Sequence, residues 1–243
     1  MRRLPIERGP IRRLPFERSR PVIVAVTGGK GGVGKSTISI ELGAALDATV
    51  VDADLGMADL PTGPGPDLHD VLAGRAAPAE AVREGCGPVR LLPCGRSLAG
   101  ARAADVGALG ETLRAVEDAY GDVVVDCPAG MKADAGVPLA IADACVVVAS
   151  PQPYALADAV RSRELARELD AGLVGVVVNR VVDDPPTSAF EEVLGAPAVA
   201  VPADPRVGET VPSFRPVVRS APSTRAARAV TAVADAVRRA KRV

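Results

Sequence analysis

The stretch that decides the fold is Gly28-Gly29-Lys30-Gly31-Gly32-Val33-Gly34-Lys35-Ser36-Thr37. It follows an apolar β-branched run, Val22 to Thr27, and precedes a segment of helical composition, Ser36 to Leu46. From Gly29 to Ser36 it satisfies G-x-x-x-x-G-K-[ST] in the strand-loop-helix setting that the motif requires. Glycines let such a loop wrap its N–H groups around a polyphosphate, and the start of the following helix adds positive potential. Gly29, Gly31, Gly32, Val33, Gly34, Lys35, Ser36 and Thr37 are therefore the expected phosphate-binding residues. Lys35 would meet the β- and γ-phosphates, and the Ser36 hydroxyl would ligate Mg²⁺.

Lysine usage supports the assignment. Of 29 basic residues, 25 are Arg, and two of the four lysines, Lys30 and Lys35, stand in this loop. A compact ammonium fits there and a planar guanidinium does not.

Outward from the loop, short apolar runs alternate with helical segments. The runs are Ala48 to Val51, Val89 to Leu92, Asp122 to Val125, Ala144 to Ala149, Leu173 to Val178 and Pro197 to Val201. They are apolar on both faces, as in a parallel sheet covered by helices on both sides. Helices are expected at Leu109 to Tyr120, Tyr154 to Leu169 and Thr187 to Leu194. The alternation predicts an α/β fold with a doubly wound, mostly parallel sheet.

Two strand ends carry carboxylates. Val123-Val124-Val125-Asp126 is a hydrophobic strand ending in an acid, which would hold Mg²⁺ through a water. Val51-Asp52-Ala53-Asp54 places two more at the carboxyl edge of the sheet, where ligands bind in such folds. Asp52 is expected to support the metal and Asp54 to orient an attacking water.

These residues resemble the deviant Walker A ATPases of the MinD/ParA family, in which an extra lysine opens the loop in the form K-G-G-x-G-K-[ST]. Val51 to Leu60 looks like the family's switch I and Asp126-Cys127-Pro128-Ala129-Gly130 like its switch II. Asn179-Arg180 resembles the element whose Asn recognises adenine, and Val201-Pro202-Ala203-Asp204 the loop that lines the base. The resemblance implies a SIMIBI-type P-loop NTPase fold, slow ATP hydrolysis with ATP and Mg²⁺ as cofactors, and an ATP-dependent homodimer into which Lys30 reaches across to the partner subunit's phosphates. It also implies a role in positioning the division site or another cellular structure, with a protein partner that reads the ATP state. ParA-like partitioning of DNA is the alternative. Metal or iron–sulfur delivery is disfavoured, since Cys86, Cys94, Cys127 and Cys145 form no C-x-x-C pair. Asn179-Arg180-Val181-Val182-Asp183 does not supply the N-K-x-D or T-K-x-D element that guanine specificity calls for, which favours ATP over GTP.

Composition limits the rest. Aromatics are 2% of the chain and Trp is absent, which argues against base-stacking nucleic-acid modules. The net charge of -1 conceals an acidic body between two basic ends, residues 1–20 and 224–243. Residues 1–21 contain a duplicated decapeptide, Arg2-Arg3-Leu4-Pro5-Ile6-Glu7-Arg8 and Arg12-Arg13-Leu14-Pro15-Phe16-Glu17-Arg18, read as a disordered arm before a single ATPase domain over 22–243. If the two basic ends gather on one side, a weak electrostatic contact with membrane or DNA follows. The longest uncharged apolar stretch, Ala144 to Ala157, is broken by Pro151 and Pro153 and is too short to span a bilayer. A cytoplasmic protein, peripheral at most to the inner face of the membrane, is expected. The stripe of Val230, Val233 and Val237 on the last helix lacks bulky residues and is expected to pack on the sheet.

Overall fold

The computed structural model describes residues 20–56, 58–61, 63–84, 89–130 and 133–241. The arm expected at 1–21 therefore lies almost wholly outside the described residues, as does Cys86. Eight strands form one sheet in the order β3-β4-β2-β5-β1-β6-β7-β8. They are β1 Ile23–Thr27, β2 Thr49–Asp52, β3 Arg83–Glu84, β4 Arg90–Leu92, β5 Val123–Asp126, β6 Ala144–Ala149, β7 Gly172–Val181 and β8 Ala198–Pro202. All neighbours pair in parallel except β3, a two-residue edge strand antiparallel to β4. The mostly parallel sheet expected from the alternating runs is thus present.

The central strands β1, β5 and β6 are buried at every position. Their Val-rich sequences need apolar cover on both faces, which only flanking helices supply. On one face lie helix α1 (Lys35–Leu46) and the final helix, Arg225–Ala240. That final helix buries Ala226, Ala227, Val230, Val233, Ala234 and Val237, so the valine stripe is core, as expected. The Thr224 hydroxyl accepts from the amide of Ala227 and caps its start. The other face is covered by helices that include Leu109–Tyr120 and Ala133–Ile141.

Strand β1 sits where the winding reverses, with β5 on one side and β6 on the other. This switch point opens a crevice at the carboxyl edge. At the opposite, amino edge the chain is tied shut. Lys241 Nζ donates to both carboxylate oxygens of Asp122 at 2.6 and 2.7 Å. Arg20 and Pro21 line the same recess as Val237, Ala240 and Lys241, so entry and exit of the described chain meet there.

Candidate nucleotide site

The loop after β1 is shaped by two close approaches. Gly34, at φ 99°, stands so near Asn179 that a Cβ would lie 2.3 Å from its Nδ2. A Cβ on Gly29 would lie 2.7 Å from the Cβ of Asp158. Both positions require glycine for space, and Gly34 also for its left-handed backbone. Asn179 Nδ2 donates to the Val33 carbonyl at 2.9 Å, bolting the loop to β7.

Helix α1 begins at Lys35 with no side-chain cap and no acidic residue in its first turn. By contrast Asp67, Ser97 and Thr224 cap the starts of other helices. The first amides of α1 are thus left for an anion, and the helix dipole favours one. Gly32, Gly34, Lys35, Ser36 and Thr37 line a recess of about 250 Å³, together with Asp59, Arg180 and Val211.

Two of the carboxylates stand side by side at strand ends. Asp52 and Asp126 are register partners on neighbouring strands, and both are buried. Asp126 accepts from the hydroxyls of Ser36 and Ser39, the latter at 3.0 Å. Asp52 accepts from the amides of Asp54 at 3.2 Å and Leu60 at 3.4 Å. Burial, and then the nearby charge of Asp126, push Asp52 up to about 8. Burial also raises Asp126, to about 6, against the opposing effects of Ser36, Ser39 and Lys35. Two carboxylates in one buried space repel, and a divalent cation removes that cost.

The two lysines face different spaces. Lys35 is buried at the nucleotide recess, whereas Lys30 is exposed. The Lys30 ammonium lies 4.9 Å from the centroid of the Tyr154 ring, a cation–π contact. Gly29, Lys30, Tyr154 and Asp158 line a second, smaller recess beside β6. Asp158 is itself paired with Arg161.

Other expectations divide. Asp54 stands on the loop after β2, partly exposed, and Thr37 lines the recess. Asn179 is placed inside β7 rather than after it, because pairing with β8 continues through a register shift between Asn179 and Val181, with Arg180 at φ 62°. Pro202 pairs with Val181 at the end of β8 but is not a wall of the 250 Å³ recess. Cys127 is buried against the Val125 carbonyl as core, with burial holding its thiol well above the usual range. Sequence reasoning gives no role to Asp59, Arg180 or Val211; Asp59 is the third carboxylate of the Val51 to Leu60 stretch, Arg180 enters only as the neighbour of Asn179, and Val211 carries no signal.

Known proteins resemble the chain over most of its length. The model of the CobQ/CobB/MinD/ParA nucleotide binding domain matches residues 24–217. An ATP-binding protein of Methanocaldococcus jannaschii is 34% identical over 227 residues, covering 88% of this chain and 86% of its own length. The cell division ATPase MinD of Pyrococcus furiosus superposes with a TM-score of 0.82 at 30% identity, covering 91% of this chain and 99% of its own. The septum site-determining protein MinD of Pyrococcus horikoshii, solved with Mg-ADP, gives 0.81 at 28% identity, with 89% and 95% covered. An uncapped helix start behind a glycine loop, paired buried carboxylates and a second lysine outside the recess are thus the local features of a chain that belongs to the CobQ/CobB/MinD/ParA nucleotide-binding family.

Proposed function

We propose that the protein is an ATP-hydrolysing dimerisation switch that positions the division site or another cellular structure. The observation that carries this reading is the separation of the two lysines. Lys35 serves its own recess, while Lys30 is held outside it, where it can serve a second subunit.

The residues present fit ATP and Mg²⁺. The buried Asn179 Oδ1 has no partner among the described residues and can accept from the exocyclic amine of adenine. Pro202 would flank the base. Ser36, Asp52 and Asp126 form an all-oxygen donor set suited to Mg²⁺, with Asp126 acting through a water. When bound, Mg²⁺ neutralises charge on the β- and γ-phosphate oxygens. The amides of Gly31 to Thr37 and the Lys35 ammonium hold the phosphates in place, Lys30 adds positive charge from the partner subunit, and Asp54 orients the attacking water.

No helix among the described residues is long and apolar enough to cross a membrane. The partner that reads the ATP state is proposed to be a protein. Contact of the basic ends with lipid or DNA would be electrostatic and lost at high salt.

Light scattering on eluting protein tests the switch. With ATP, Asp54→Ala is expected to accumulate as dimer, since it binds but does not hydrolyse. Lys30→Ala is expected to bind ATP and stay monomeric. A Lys30→Ala protein that dimerises and turns over normally would sink the reading.

A further inference from the structure

The structure assigns a positioning role to His69, the only histidine of the chain, in holding the loop that carries Asp54. This inference rests on the reading of Asp54 as the group that orients the attacking water.

The loop leaves β2 between two sets of contacts. On one side the Asp52 carboxylate accepts from the amides of Asp54 and Leu60. On the other, the Cys94 thiol donates to the Asp54 carbonyl at 3.3 Å, and His69 Nε2 donates to the Leu55 carbonyl at 3.2 Å. A carbonyl only accepts, so this contact requires the proton on Nε2 and thereby fixes the tautomer. Ring and thiol are 3.4 Å apart and act together. The two peptide planes that follow Asp54 are both held, which fixes the backbone from which its side chain projects.

The ring has little freedom to give way. Its residue is 2% exposed and belongs to the short helix Leu68–Leu72, whose start is closed by reciprocal bonds between Asp67 and Asp70. The amides of Leu68 and His69 donate to the carbonyls of Pro93 and Cys94 at 2.8 and 3.1 Å, fastening this helix to the segment that supplies the thiol. Gly100 closes the far side: a Cβ there would lie 3.0 Å from both Cβ and Nδ1 of His69.

An apolar residue would fill this space at lower cost. His69 Nδ1 has no partner among the described residues, and burying such an atom is unfavourable. What an imidazole adds over Leu or Phe is the Nε2 donor aimed at the switch loop.

The test uses side-chain reach. Glutamine carries its amide nitrogen about as far from the backbone as Nε2, and asparagine carries it only as far as Nδ1. His69→Ala and His69→Asn are expected to lower kcat about 10- to 100-fold, the effect of misplacing a reacting group by about 1 Å. Affinity for a fluorescent ATP analogue is expected to stay within about twofold, and His69→Gln should restore most of the rate. Hydrogen exchange without nucleotide gives a readout independent of turnover. The amides of residues 54–56 and 58–60 are expected to exchange faster in the Ala and Asn variants but not in the Gln variant.

Unchanged kcat and exchange in His69→Ala would overturn the inference. So would equal losses of kcat, affinity and thermal stability in all three variants, which would mark a purely structural residue. Asp54→Ala separates this from the underlying reading. If that variant turns over normally, the role given to Asp54 fails; if it is inactive while His69→Ala is fully active, only the role given to His69 fails.

Discussion

Both edges of the sheet carry carboxylates at strand ends, and they are treated in opposite ways. At the amino edge, Asp122 receives two bonds from Lys241 and one from the amide of Val22. Asp143 accepts from the amide of Ile23 and lies 3.7 Å from Arg114. At the carboxyl edge the donors that reach Asp52 and Asp126 are neutral amides and hydroxyls, and both acids titrate above the usual carboxylate range. One edge has its charges neutralised by the chain itself. The other leaves them for something the chain must bind, and a functional site is where such a cost is tolerated.

The largest expected effect comes from removing the one buried cation at the carboxyl edge among the described residues. Lys35→Ala should reduce ATP turnover by at least about 10²- to 10³-fold, as loss of a donor to developing charge does elsewhere. Steady-state phosphate release measures it, and a loss below tenfold would mean that Lys35 does not meet the phosphates.

Next is a pair of matched substitutions. Asp122→Asn should destabilise the fold by about 1–3 kcal/mol, because it leaves a half-buried ammonium without its carboxylate, while turnover stays as in the parent. Asp52→Asn should do the reverse: unfolding free energy within about 1 kcal/mol of the parent, but nucleotide binding no longer strengthened by Mg²⁺. Denaturant melts and titrations with and without Mg²⁺ decide it. If the two variants behave alike, the contrast between the edges is broken.

A smaller effect is expected at the rim. Tyr154 is 59% exposed, and its ring seats the Lys30 ammonium in the single chain. In the proposed dimer Lys30 would have to leave this ring to reach a partner subunit, so Tyr154→Ala would remove a competing contact. The ATP concentration at half-maximal dimerisation should fall about two- to fivefold, the scale of an exposed cation–π contact. A rise would show instead that the ring prepares the lysine for its task.

The smallest concerns a carboxylate away from both edges. Glu41, inside α1, accepts from the Thr210 hydroxyl and from the amides of Val217 and Val218, yet burial outweighs these bonds and raises its pKa. A raised carboxylate favours the folded state while protonated. Its contribution is therefore complete below the unfolded value near 4.5 and is lost as pH rises through the folded value. Glu41→Gln should flatten that part of the stability–pH curve in thermal melts. An unchanged curve would show that Glu41 does not titrate there.

What was legible in the sequence follows a physical division. The seven parallel strands could be read because a strand covered on both faces must be apolar throughout, and the loop because phosphate binding through the backbone demands glycine at fixed places. The charged Arg83–Glu84 pair has no strand pattern at all, and its pairing with β4 comes from position alone. Asn179 and Arg180 read as a strand end because they are polar, but pairing with β8 overrode that preference. Helices as short as Leu68–Leu72 are below the length at which a 3.6-residue period can register. Asp158, which crowds Gly29, and His69 and Cys94, which hold the loop after β2, were invisible for another reason. Their contacts join residues 14 to 129 positions apart, and only the strand order brings them together.

The meeting of Arg20 and Pro21 with Lys241 at the amino edge has a practical consequence for labelling. Lys241 lies at the opposite edge of the sheet from the phosphate loop, so a fluorescent protein or surface anchor joined beyond it would start away from the face on which the proposed dimer closes. The same geometry limits trimming. Shortening the chain before Val237 would remove a side chain that fills the interior, so a tag can be added at this end far more safely than residues can be taken away.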